Sequence, residues 1–370
     1  MVRYRDVYIE DERVLADSGS LTIDINITDV ISELLVMLKC QNYETAGNEP
    51  KNQAPSRLLT KLELVDGSDV LESLSGSQAF GIAWYERGKF PYADITSLEG
   101  EYPEQTFPLY FGRYLWDKQL AFDPTRFNNP QLKVQWNLAA VHAVGADGIV
   151  SGSGRLTVIA RVMEDVTKPV GFLMNKQIKS WTTASSGDES TDLPTDYPYR
   201  RIFIRPYRIG YLPGQIITNY KLSVDQDKFV PFNMDGYELR HLNDIMFGQA
   251  ELNQRVSFDY GDLVHTYIGN FHYVYAQPFH VDRVISTEIG FGGQCQLRAR
   301  SLDGTDQDDV HCYLKAVGSA PEHILCYPFG EPDLKETWFP APSYKSVRLI
   351  CTQGTADADA SIVLQQYRTY

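Results

Sequence analysis

The run Leu21-Thr22-Ile23-Asp24-Ile25-Asn26-Ile27-Thr28 puts an apolar residue at every odd position and a polar one at every even position. Side chains alternate across a strand but return every 3.6 residues on a helix, so only a strand with one buried face suits this run. The same period recurs in Leu132-Lys133-Val134-Gln135-Trp136-Asn137-Leu138, in Tyr220-Lys221-Leu222-Ser223-Val224-Asp225 and in Cys295-Gln296-Leu297-Arg298-Ala299-Arg300. These segments read as half-buried antiparallel strands. Helical patterning is scarce. Leu239, Leu242, Ile245 and Met246 form the best helical stripe, just after Asp235-Gly236, and a second short helix is expected after Gly76, carrying Ala79, Phe80, Ala83 and Trp84.

Landmarks repeat in the same order about 160 to 170 residues apart. Ser18-Gly19, Asp24 and Thr28-Asp29 precede the apolar run Leu34 to Leu38, as Ser186-Gly187, Asp192 and Thr195-Asp196 precede Ile202-Phe203-Ile204. Val65-Asp66 leads to Gly76 and its helix, Val224-Asp225 to Gly236 and the clearer one. Each half closes on a strand-like run, Leu156 to Val162 and Ile362 to Tyr367. The pattern is that of a duplicated all-β unit. At 370 residues the chain exceeds what one core usually serves, and two consecutive domains are the natural division.

The expected organisation is an arm over residues 1–17, a first unit over 18–165, a linker over 166–170 and a second unit over 171–370. The arm is charged and weakly patterned, and is expected to order against a neighbour. The polar stretch 42–56 reads as a surface excursion of the first unit.

With 43% hydrophobic and 22% charged residues the composition is globular, and no apolar run reaches the roughly 20 residues of a spanning helix. Met1-Val2-Arg3-Tyr4-Arg5-Asp6 carries no apolar signal region, so synthesis and assembly in a cytoplasm are expected. A net charge of −14 argues against direct nucleic-acid contact, which needs clustered Lys and Arg. The nearest basic cluster, Tyr199-Arg200-Arg201-Ile202-Phe203-Ile204-Arg205-Pro206-Tyr207-Arg208, reads better as a strand face or an interface with acidic neighbours.

Little here points to catalysis. Cys40, Cys295, Cys312, Cys326 and Cys351 share their strand phase with apolar neighbours and read as buried free thiols; no C-x-x-C spacing supports zinc. His265, His272 and His280 are not spaced as ligands on one strand face. Asp303-Gly304-Thr305-Asp306-Gln307-Asp308-Asp309 lacks the glycine and distal glutamate positions of a calcium loop and reads as a solvated turn. Ser151-Gly152-Ser153-Gly154 precedes a strand rather than a phosphate-cradling helix, so a hairpin loop is expected. No nucleophile elbow is present. Catalytic residues, cofactor and metal are all expected to be none.

The chain resembles the double jelly-roll major capsid proteins of the tectivirus and adenovirus lineage. It is most similar to members typified by the lipid-containing, single-stranded-DNA finnlakevirus that infects Flavobacterium. The resembling residues are Lys61-Leu62-Glu63-Leu64-Val65-Asp66-Gly67-Ser68-Asp69-Val70-Leu71-Glu72-Ser73-Leu74-Ser75-Gly76, Phe111-Gly112-Arg113-Tyr114-Leu115, Leu120-Ala121-Phe122-Asp123-Pro124, Asn129-Pro130-Gln131-Leu132-Lys133 and Asp192-Leu193-Pro194-Thr195-Asp196-Tyr197-Pro198-Tyr199-Arg200. These motifs are structural rather than chemical. The resemblance implies two tandem eight-stranded jelly rolls, each with a short helix. It further implies a homotrimeric capsomer of pseudo-sixfold outline in an icosahedral virion, neighbouring capsomers, penton or minor capsid proteins as partners, and an internal membrane beneath the shell.

Two other classes compete with a capsid role. Trp84, Trp116, Trp136, Trp181 and Trp338 offer stacking platforms to a carbohydrate-binding or carbohydrate-active sandwich, although Trp136 shares its phase with Leu132, Val134 and Leu138. A viral spike or receptor-binding protein is the other; the lack of fibre-like repeats weighs against it.

Overall fold

The computed structural model describes residues 2–43, 55–96, 100–140, 148–258, 263–267, 273–278, 283–291, 294–301 and 310–370. The alternating segments form strands whose apolar phase is buried: along Pro130–Asn137, Leu132, Val134 and Trp136 face the core while Gln135 is exposed. That strand pairs with Ser18–Asp24 on one side and Leu59–Asp66 on the other, with Leu132 opposite both Ile23 and Leu64.

The first half builds two facing sheets. One runs Arg3–Val14, Arg155–Glu164, Val30–Lys39, Glu104–Tyr110, with the short Ala93–Thr96 beyond; the other runs Ser18–Asp24, Pro130–Asn137, Leu59–Asp66, Asp69–Leu74. The second half repeats the plan. Gly171–Thr182, Asp359–Thr369, Tyr199–Tyr207 and Leu325–Pro328 form one sheet, and Asp188–Leu193, Val347–Gln353, Ile217–Val224 and Asn233–Asp235 the other. In both halves the first, eighth, third and sixth strands of the unit share one sheet, and the second, seventh, fourth and fifth share its partner. That is the jelly-roll order.

The rolls are joined through their sheets. Asp69–Leu74 pairs in parallel with Gly171–Thr182 at Ser73 and Lys176, which joins one sheet of each roll edge to edge. Between the helix Gly236–Phe247 and Leu325–Pro328 the chain makes a long excursion. Its strands Ala250–Phe258, Val310–Gly318 and Tyr273–Pro278 extend the first roll's sheet, with Gln254 opposite Ile95 in a parallel contact. Leu263–Tyr267, Gln294–Ser301 and Arg283–Phe291 form a separate three-stranded sheet.

The duplication extends to irregularities. The first strand of each roll has a register shift against the eighth, between Tyr8 and Glu10 and between Gln177 and Lys179. The third strand has one too, between Ile31 and Glu33 and between Tyr199 and Arg201. One apolar core fills the first roll and continues through Phe172, Met174, Phe203 and Val363 into the seam; a second, including Ile202, Tyr220, Leu349 and Ile362, fills the other roll.

Two expectations need correction. Residues Arg3–Val14, expected as part of an arm, form the outer strand of the first roll, paired with Arg155–Glu164. An edge strand leaves many of its side chains in water, so it tolerates the charges that hid its period, and charge there protects the open edge. The helical stripe after Gly236 is also divided: Leu239 is buried, whereas Ile245 is 82% and Met246 49% exposed. By contrast the run Ile362 to Tyr367, expected as a closing strand, lies within the strand Asp359–Thr369 in the sheet interior between Gly171–Thr182 and Tyr199–Tyr207.

Candidate assembly surface

The helix Gly76–Arg87 occupies the seam between the rolls. Ser75 and Gln78 form a capping box at its start, and Gly88, in the left-handed region, ends it. It is buried from Gly76 to Tyr85 because its own roll covers one side and the second roll the other. Gly81 is required there: a Cβ would stand 2.7 Å from Ile324 Cδ1 and 3.0 Å from both Glu322 Cβ and Pro321 O.

A polar network crosses this seam. Gln78 Nε2 donates to Gln177 Oε1 at 2.8 Å and to Ser361 Oγ at 2.9 Å. Tyr85 Oη donates to the Ile324 carbonyl at 2.6 Å. Glu86, almost wholly buried, takes Arg200 at 2.7 Å on one carboxylate oxygen and Arg201 at 2.6 Å on the other. Gln365 Nε2 also donates to Glu86 at 2.9 Å and to Asn175 Oδ1 at 3.0 Å. Asn175 in turn donates its backbone N–H and its amide to the two oxygens of Glu72, at 2.6 and 2.9 Å.

The two carboxylates titrate far apart. Burial pushes Glu72 up to about 8 against the pull of the Asn175 hydrogen bonds, with the Glu86 charge adding to the rise. Burial acts the same way on Glu86, but Arg200 and Arg201 outweigh it and hold that carboxyl at about 2. The basic cluster read from the sequence is therefore partly an internal interface, because Arg200 and Arg201 meet an acidic neighbour in the other roll. The sequence carries no signal for Glu86 as their partner beyond a carboxylate at the end of an apolar helical stretch.

Outside the seam, the second helix, Gly236–Phe247, starts on a capping box of Asp235 and Glu238 and buries only Gly236, Leu239 and Asn243. Tyr237, Ile245 and Met246 are exposed on it. Tyr4, Tyr8 and Val14 are exposed on the edge strand of the first roll. A polar groove of about 430 Å³ opens above the seam, lined by residues including Gln78, Gln177, Arg205, Asp359 and Ser361.

Cys40, Cys312, Cys326 and Cys351 are free and buried, and burial pushes each thiol up to about 12. The side chains of Cys295 and His265 lie outside those described, as do His272, His280 and Asp303–Asp309 altogether. Ser151–Gly154 is a turn held by Asp17, which accepts from Ser151 Oγ at 2.8 Å and Gly152 N–H at 2.9 Å. Among the described residues no group of three or more His, Cys, Asp or Glu is placed to hold a metal. Trp84, Trp136 and Trp338 are core, the last two donating their indole N–H to the carbonyls of Ala16 and Glu331; Trp116 and Trp181 are half-buried.

No protein-family model matches the sequence, and no curated protein does. Solved structures do. A chain of the PBCV-1 virus capsid superposes with a TM-score of 0.59 at 9% identity, covering 99% of this chain and 94% of that one. The STIV MCP gives 0.58 at 11% identity, over 100% and 97%. The major capsid protein P2 of bacteriophage PM2 gives 0.53 at 9% identity, over 99% and 98%. The fold is that of the double jelly-roll capsid proteins. Coverage near the whole length of both partners means that the pairing of the rolls is shared, as well as each roll.

Proposed function

We propose that the chain is the major capsid protein of an icosahedral virus, forming homotrimeric capsomers with a pseudo-sixfold outline. The observation that carries this reading is the side-by-side pairing of two equivalent rolls in one chain, joined by a shared sheet and matched over its length by virus capsid subunits. Three such chains supply six similar rolls, and a head-to-tail contact between unlike rolls closes them into a ring. The work is structural and needs no catalytic centre. The finnlakevirus-like motifs support placement among shells built over an internal membrane, with penton or minor capsid proteins as further partners and assembly in the host cytoplasm. The buried tryptophans count against the carbohydrate reading.

Sedimentation of the purified protein at micromolar concentration and neutral pH tests the proposal. A trimer is expected, with an interface of the obligate class, above about 2,000 Å² in total. A monomer over the whole concentration range would contradict it.

A further inference from the structure

The two helices are equivalent elements used unequally. Each has 12 residues, starts with glycine after a capping box and ends at a glycine, Gly88 or Gly248. Counted from the caps, Gln78, Gly81, Tyr85 and Glu86 correspond to Glu238, His241, Ile245 and Met246. The first four make the contact with the second roll: Gln78 with Gln177 and Ser361, Gly81 with Pro321 to Ile324, Tyr85 with Ile324, Glu86 with Arg200 and Arg201. The latter four are all exposed.

The surface that receives the first helix also has a counterpart. The shared register shifts equate Gln177 with Tyr8, Ser361 with Thr157 and Gln365 with Arg161. In the first roll Tyr8 is 61% exposed, while Thr157 and Arg161 are half-buried, Thr157 Oγ1 accepting from the Glu12 N–H at 3.1 Å and Arg161 pairing with Glu33 at 3.2 Å and Asp6 at 3.5 Å.

We propose that the face of Glu238, His241, Ile245 and Met246 packs on the sheet around Tyr8, Thr157 and Arg161 of a second copy of this chain, repeating between chains the contact made within each. The inference rests on the capsomer reading and names its interface. The chemistry suits the exchange of partners. Tyr8 offers a hydroxyl to the Glu238 carboxylate where Gln177 meets Gln78, and the Met246 side chain covers Arg161, the counterpart of the Gln365 that meets Glu86. The contact joins unlike surfaces, so it propagates head to tail and closes when the rotation per chain allows.

The test is co-expression of full-length Tyr8→Cys and Glu238→Cys chains, the counterparts of the Gln177 and Gln78 pair, carrying tags of different size, followed by mild oxidation. Four of the native thiols are buried and stay silent. The expected result is a covalent dimer containing one chain of each kind, with no such product from either variant alone. Trimers that form without this cross-link would overturn the inference and leave the capsomer reading standing; monomers would overturn both. As a second measurement, Ile245→Asp should convert the assembly to monomers with an unchanged circular dichroism spectrum, because the side chain is 82% exposed within one chain. An Ile245→Asp trimer would equally overturn it.

Discussion

Helix Gly76–Arg87 and helix Gly236–Phe247 share length, caps and place in their rolls, yet one is buried from Gly76 to Tyr85 and the other at only Gly236, Leu239 and Asn243. Local sequence explains the common features, since a capping box and a terminal glycine define a helix wherever they occur. What lies across from each explains the difference. The first helix faces the second roll of its own chain and carries small or hydrogen-bonding groups shaped to it. The second faces outward with an apolar pair, Ile245 and Met246, at the positions of Tyr85 and Glu86. On the proposed assembly, equivalent positions differ according to whether their partner is covalently attached.

The largest effect should separate Glu86 from Met246. Glu86→Ala leaves Arg200 and Arg201 buried without their shared carboxylate, and loss of one side of a buried pair costs about 3–5 kcal/mol. Met246→Ala should change the stability of the isolated chain by no more than about 0.5 kcal/mol, as for an exposed position. Denaturant unfolding of both variants, under conditions that keep the chain monomeric, checks the comparison; similar losses would erase it.

Gly81 and His241 give the next contrast. In Gly81→Val the added atoms meet Ile324, Glu322 and Pro321 at 3.0 Å or less, and overpacking of this kind costs about 1–3 kcal/mol. His241→Val should be near neutral for the single chain and should act only on assembly. Melting temperatures compared at low and high protein concentration distinguish the two behaviours.

The smallest effect is on pH dependence. Glu72 holds its proton up to about 8 when folded against an ordinary value of 4.5, so the folded state binds a proton that the unfolded state lacks, and stability falls as pH rises across that window. Glu86 acts in the opposite sense. Its carboxyl stays ionised down to about 2, so its contribution is present above the ordinary value and is lost as pH falls toward 2. His323 adds to the acid limb below its ordinary 6.5, because burial, with Arg205 and Arg57 nearby, disfavours its charged form, and neither ring nitrogen has a hydrogen-bond partner among the described residues. Glu72→Gln should flatten the alkaline limb of a stability profile, and Met246→Ala should leave both limbs in place. An alkaline limb unchanged in Glu72→Gln would remove Glu72 as its source.

Much of this architecture was legible because strand alternation and duplication are both written locally. Val65-Asp66 ends the strand Leu59–Asp66 as Val224 ends Ile217–Val224, and Gly76 and Gly236 open equivalent helices. What depended on distant partners was not legible. Arg3–Val14 reads as an arm until Arg155–Glu164 is placed beside it. Ala250–Phe258 belongs to the second half by sequence but extends the sheet of the first through Ala93–Thr96. The seam network is invisible for the same reason, since nothing near Arg200 in the chain announces Glu86. Ile245 and Met246 fit a helical stripe with Leu239 and Leu242, and periodicity alone does not say whether an apolar residue turns inward or toward another molecule.

Electron microscopy of the purified wild-type protein tests the central claim most directly, that the rolls of three chains form one ring through the exposed second helix. Single particles viewed along their axis should show a hexagonal outline and six lobes of similar size. Isolated two-lobed particles, or twofold pairs joined through surfaces other than the helix Gly236–Phe247, would contradict it.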